Sequence, residues 1–276
     1  MSDKTAELRD VCEEIFKDMR KFDAEHRRES WGFHFGYSTA NSWRTDTKVL
    51  FLTLNQQARN MITKKNELIT PDSPWEKTNA FLNPGNPFGI KMDALLIFAE
   101  IARHMADKNI KTDYEDRKLQ EFVETQMVLA SYVPFRTNSK PVAKSPMWDF
   151  AKTCYWNKIL KIWQPGLIIA VGSDSFSGMK ALYSEMGWKV PKNTPPEPVS
   201  DYHPKGYETK GNFRSCICSD PSSGKQSLLL CVPHPAYKKH CGKNCGYQDP
   251  EHPDLFLPKN APVQLFLRKM LAKTPR

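Results

Sequence analysis

An α/β fold is predicted for this 276-residue chain, in the form of a three-layer α/β/α sandwich around a mostly parallel sheet, and three observations predict it. Short apolar runs recur at residues 49–54, 167–171 and 227–232, and near-continuous apolar runs are what strands buried on both faces look like. Between the runs lie segments whose apolar residues recur at three- and four-residue spacing, the helical period. No internal repeat or heptad array interrupts the alternation of strand and helix, which favours a parallel sheet covered by helices.

The elements follow in order. Leu8, Val11, Cys12, Ile15, Phe16, Met19 and Phe22 form the stripe of an amphipathic helix, so residues 1–30 are expected to pack onto the domain. The strand at 49–54 runs into the polar cluster Asn55-Gln56-Gln57. A long irregular stretch rich in Pro, Asn and Gly continues to Ile90 and is read as a pocket wall, since loops of this length inside domains are usually functional or disordered. Residues 92–105 are apolar nearly all round and predict a buried helix; residues 114–129 predict another, leading into a short strand at 130–133. Ser145-Pro146 is a helix start, with a capping hydroxyl and a proline in the first turn. That helix ends near Gln164-Pro165-Gly166, and Gly172-Ser173-Asp174 turns the strand at 167–171 into the next helix. Residues 191–212 hold five prolines and predict a surface excursion, and a final helix is expected over 263–271. The whole chain, 1–276, is read as one domain.

Forty Lys and Arg against 31 Asp and Glu give a formal charge of +9 and favour a polyanionic partner. Between Ser131 and Pro165 six basic residues (Arg136, Lys140, Lys144, Lys152, Lys158 and Lys161) face one acid, Asp149. The first 29 residues are densely charged, unlike a signal peptide, and no apolar run approaches the roughly 20 residues of a membrane span. The expectation is a soluble cytoplasmic protein with no membrane association and no obligate protein partner. Seven cysteines, an odd number, predict free thiols. Cys216, Cys218, Cys241 and Cys245 contain enough sulfur for a tetrahedral zinc site, but their spacing matches no common finger, so no cofactor is expected and zinc stays the alternative.

Two strand ends stand out. Leu228-Leu229-Leu230 leads into Cys231-Val232-Pro233-His234-Pro235-Ala236, and 49–54 leads into Asn55. Open parallel sheets bind ligands beyond the carboxyl ends of their strands, so an imidazole and an amide in those positions point to one shared site.

In these blocks the chain resembles the uracil-DNA glycosylase superfamily. Residues 49–57 are similar to its first motif, a strand ending in a Gly-x-Asp/Asn/Ala-Pro loop. Gly85-Asn86-Pro87-Phe88-Gly89 is similar to its Pro-Phe block, and residues 130–136 to its base-reading strand. Residues 165–172 resemble its core strand and His234-Pro235-Ala236 its His-Pro-Ser motif. The resemblance implies a uracil-DNA glycosylase-like fold and a monofunctional enzyme that flips a base out of DNA and hydrolyses its glycosidic bond. His234 would donate to the departing base and Asn55 would orient the water. Thr53, Leu54, Gln56, Gln57, Phe88 and Ser131 would surround the base, with Phe88 stacked on it. Arg136, Lys140, Lys144, Tyr237, Lys238 and Lys239 would hold flanking DNA.

The departures matter as much. Thr53 stands in place of the family's glycine, Gln56 in place of its proline, and Ser131 where several branches carry the asparagine that reads uracil. Gln57 occupies the place of an aromatic ring that excludes pyrimidine C5 substituents, which suggests an enlarged pyrimidine such as a hydroxymethylated or glucosylated cytosine of phage DNA. Cys12 has no cysteine near it and Phe135 lies where a cluster ligand is expected, so no iron–sulfur cluster is predicted. Repair of uracil or another deaminated base, a DNA-binding module without catalysis, and a nucleoside hydrolase on a similar scaffold remain the alternatives.

Overall fold

Six strands form one sheet in the order β2-β1-β3-β6-β5-β4, with β1 at Val49–Thr53, β2 at Met127–Ser131, β3 at Leu167–Val171, β4 at Glu197–Pro198, β5 at Asn212–Ser219 and β6 at Gln226–Val232. The structure is a computed structural model, and it describes residues 2–26, 32–54, 71–79, 82, 93–136, 145–202, 212–233 and 262–273. β2, β1, β3 and β6 run parallel, while β5 is antiparallel to β6 and β4 to β5. Every residue of β1, β2 and β3 is buried, which is why these strands read as unbroken apolar runs.

Helices cover both faces. Leu50, Leu52, Val128, Ala130, Ile168, Ala170, Leu229 and Cys231 face α1 (Ser2–Glu25), α4 (Pro146–Phe150), α5 (Asn157–Ile162) and α6 (Ser173–Glu185). The alternate residues Val49, Phe51, Met127, Leu129, Ile169, Leu230 and Val232 face α2 (Asp93–Met105), α3 (Arg117–Gln126) and α7 (Pro262–Leu271). Side chains alternate across a strand, so each strand serves two cores.

Ser145 caps α4 by accepting from the Trp148 N–H, with Pro146 at the first position. Between α4 and α5 the helix widens into a π-helical turn, Ala151–Trp156, which no periodicity announces. Its last two side chains are buried and reach backbone carbonyls: the Tyr155 hydroxyl donates to Phe35, and the Trp156 indole donates to Tyr132 at 2.9 Å.

Three expectations are corrected. The second strand begins at Met127, three residues before the predicted start, because α3 ends at Gln126. Residues 191–212 are not wholly a surface excursion: β4 pairs with β5, and Val199 and Tyr202 are buried against α7. β5 was not foreseen, since its residues alternate between buried and exposed with Arg214 and Ser215 among them.

β2 lies at the end of the sheet, where unpaired backbone groups invite association. Residues 32–38 cover that edge. The Tyr37 N–H donates to the Leu129 carbonyl at 2.8 Å, the Leu129 N–H donates to Ser38 Oγ at 2.8 Å, and Phe33 bridges Phe135 in antiparallel sense.

Candidate functional site

Because four neighbouring strands are parallel, their carboxyl ends share one edge of the sheet. Thr53 of β1 is in register with Ser131 of β2, and Val171 of β3 with Val232 of β6. Pairing of the first two strands persists past their ends: the Tyr132 N–H donates to the Thr53 carbonyl at 2.7 Å and the Val133 N–H to the Leu54 carbonyl at 2.8 Å. On the other side, the Gly172 N–H donates to the Val232 carbonyl at 2.8 Å. Gly172 takes a φ of +89°, a conformation strained for any side chain, and so turns β3 directly into α6.

Three buried hydroxyls meet at the ends of β1 and β2. Thr53 Oγ1 lies 2.9 Å from Ser131 Oγ, which lies 2.8 Å from the Tyr37 hydroxyl. Thr53 also donates toward the Ala130 carbonyl at 3.4 Å, so its remaining role is to accept from Ser131, and Ser131 in turn accepts from Tyr37. In that order Ser131 keeps one lone pair uncommitted. Thr53 therefore ends an ordinary strand and adds a hydroxyl to this relay.

Arg136 closes the cluster from the side. It is only 5% exposed, and its guanidinium donates to His34 Nε2. A guanidinium has donors only, so His34 Nε2 accepts and Nδ1 carries the proton, donating to Glu76 Oε1 at 3.2 Å. Burial pulls the guanidinium below its ordinary pKa, opposed by the nearby Tyr37 hydroxyl and the Glu76 carboxylate. Arg136, expected to hold flanking DNA, is buried with its guanidinium on His34.

The basic stretch that includes Arg136 changes meaning in three dimensions. Lys158 donates to Glu14 at 2.7 Å and Asp18 at 3.2 Å of α1, and Lys152 pairs with Glu185 at 2.6 Å. The acids that balance these lysines lie far away in sequence, so counting charge along 131–165 overstated the positive field there.

Of the expected base-binding residues, the structure brings Thr53 and Ser131 together and places Leu54 beside them, half-buried. Asn55, Gln56, Gln57, Phe88, Lys140, Lys144, His234, Tyr237, Lys238 and Lys239 lie outside the described residues. Asn55 is two residues past Thr53, and His234 two past Val232. Tyr37, His34 and Glu76 were missed in the sequence; the only signal was the polar and aromatic run His34-Phe35-Gly36-Tyr37 ahead of the first strand.

Cys216 and Cys218 are buried in the core beneath α6, and their thiols are hydrogen-bonded to each other, which lowers the Cys216 pKa and raises that of Cys218. Cys241 and Cys245, the other members of the zinc alternative, lie outside the described residues. Among the described residues no group of three or more His, Cys, Asp or Glu is arranged to hold a metal. No described helix is long and apolar enough to cross a membrane. No family model matches the chain, and no curated protein matches it.

Proposed function

We propose that the protein is a monofunctional DNA glycosylase acting at the carboxyl edge of its parallel strands. The observation that carries this reading is the buried Thr53–Ser131–Tyr37 hydroxyl relay, set two residues ahead of Asn55 and on the same edge as the strand that leads to His234. It supplies a fixed polar floor where ligands of parallel sheets bind. In the proposed reaction water attacks the anomeric carbon, the glycosidic bond breaks, and its electron pair leaves with the base, so an abasic site remains. Asn55 orients the water and His234 donates to the leaving base, whose negative charge needs a donor already in place. Phe88 stacks on the extruded base. No lysine occupies a motif position suited to a Schiff base, so the strand is left uncut.

The relay bears on the choice of base. A planar side-chain amide can pair with a uracil edge through a donor and an acceptor, whereas Ser131 offers one remaining lone pair. Together with Gln57 this favours a pyrimidine bearing a polar C5 substituent, such as hydroxymethylated or glucosylated cytosine, and a role in defence against phage. Mass spectrometry of bases released from uracil-containing DNA and from DNA carrying glucosylated hydroxymethylcytosine, in direct competition, tests both points. Release of the modified base is the expected result. Uracil as sole product would make the enzyme a repair glycosylase, and no released base from any DNA would end the enzymatic reading.

A further inference from the structure

Between α6 and the connection that follows it lies an open groove of about 940 Å³. Three cations from separate elements line it: Lys180 of α6, Lys192 of the connection and Arg214 of β5. None of the described lining residues is acidic. Asp174 lies earlier on α6, acts on Cys231, and is not among them. The floor is low because α6 presents Ser177, Ala181 and Ser184 at helical spacing around Lys180.

These cations are only loosely engaged by the protein. The Lys180 ammonium donates to the Lys192 carbonyl at 3.4 Å and to Thr194 Oγ1 at 3.3 Å, and Arg214 donates to the Thr194 carbonyl at 3.5 Å. An ammonium has three protons to give and a guanidinium five, so donors remain for an anionic guest. The contrast with Lys158, held by two carboxylates at 2.7 and 3.2 Å, is direct. The groove is far larger than one phosphate requires and open along the surface, which suits a chain of anions better than an enclosed small ligand. Arg214, on the wall of the groove, is in register with Cys231, one residue before the end of β6.

We propose that this groove binds a single strand of nucleic acid through its phosphodiester backbone. The arginine can grip a phosphate with two parallel hydrogen bonds, and the lysines act as point charges on its neighbours. This binding concerns the flank of α6 and stands whether or not a base is excised at the carboxyl edge.

The test is fluorescence anisotropy of a labelled 12-nucleotide oligothymidylate with the full chain across a range of salt concentrations. Each phosphate contact on a single strand contributes about 0.7 to the slope of log affinity against log salt. The triple variant Lys180→Gln, Lys192→Gln, Arg214→Gln should lose about 2 from that slope. Lys192→Gln alone, at an exposed position that leaves the fold alone, should lose about 0.7, and Lys158→Gln should lose nothing. An unchanged slope in Lys192→Gln and in a folded triple variant overturns the proposal. So does a fall of the same size in Lys158→Gln, or displacement of the oligonucleotide by inorganic phosphate or oligoglutamate at equal charge concentration.

Discussion

Between α2 and α7, Glu100 receives Arg103 at 3.0 Å and Arg268 at 2.6 and 3.1 Å, so charge meets charge directly. At the carboxyl edge the imidazole of His34 stands between Arg136 and Glu76, hydrogen-bonded to both, and beside it stands a file of neutral hydroxyls. Both clusters bury an arginine or a carboxylate, yet they differ in what a substitution disturbs. Around Glu100 the carboxylate is the buried member, its side chain 8% exposed, and it fastens two helices. At the edge the guanidinium is buried, and the polar groups it borders lie at the ends of β1 and β2. Charge is buried in both places, and the two differ in position: one joins two helices, the other borders the ends of parallel strands.

The comparison can be broken by measuring activity and stability on the same variants. The largest effects belong to the edge: His234→Ala and Asn55→Ala should each slow base release by about 10² or more, roughly 2.7 kcal/mol of transition-state stabilisation, with DNA binding nearly intact. Equal losses of binding and turnover would refute those roles. Glu100→Ala should cost about 2 kcal/mol in denaturant unfolding, less than a fully buried pair because the Arg268 side chain is 44% exposed. Its rate per folded molecule should match the parent, and a slowed rate would erase the contrast. Tyr37→Phe should cost about 1 kcal/mol of stability by taking a donor from Ser131, and should shift the preference between uracil and the modified pyrimidine. An unaltered preference would reduce Tyr37 to a packing residue. Gly178→Ala sharpens the comparison from the other face of the sheet, since a Cβ there would lie 2.4 Å from the Tyr132 ring. The clash should cost about 1 to 3 kcal/mol of stability, read from the denaturation midpoint.

Much of the fold could be read in the sequence because β1, β3 and β6 are buried on both faces and stand out as apolar runs. β2 is equally apolar, but Met127 to Leu129 continue the apolar content of α3, and only pairing with β1 distinguishes strand from helix there. The polar alternation of β5 gave no such run. At the candidate site, Thr53 and Ser131 fall at the ends of apolar runs, whereas Tyr37 is joined to Ser131 across 94 positions and Arg136 to His34 across 102. No local pattern encodes partners so far apart. The same reason explains the misjudged basic stretch, whose neutralising carboxylates Glu14 and Asp18 come from the first helix.

The widened helical turn at Ala151–Trp156 has a consequence of phase. An α-helix advances about 100° per residue, so one extra residue in a turn rotates everything beyond it by that angle. Tyr155 and Trp156 emerge from this shift aimed at the Phe35 and Tyr132 carbonyls, on the two chain segments that carry the neighbours of Tyr37 and Ser131. Removing a single residue from the turn would restore regular winding and swing both rings away, although composition and length would hardly change. The angular timing of one helix thus ties down both the cover of the sheet edge and the end of β2, segments far from it in sequence.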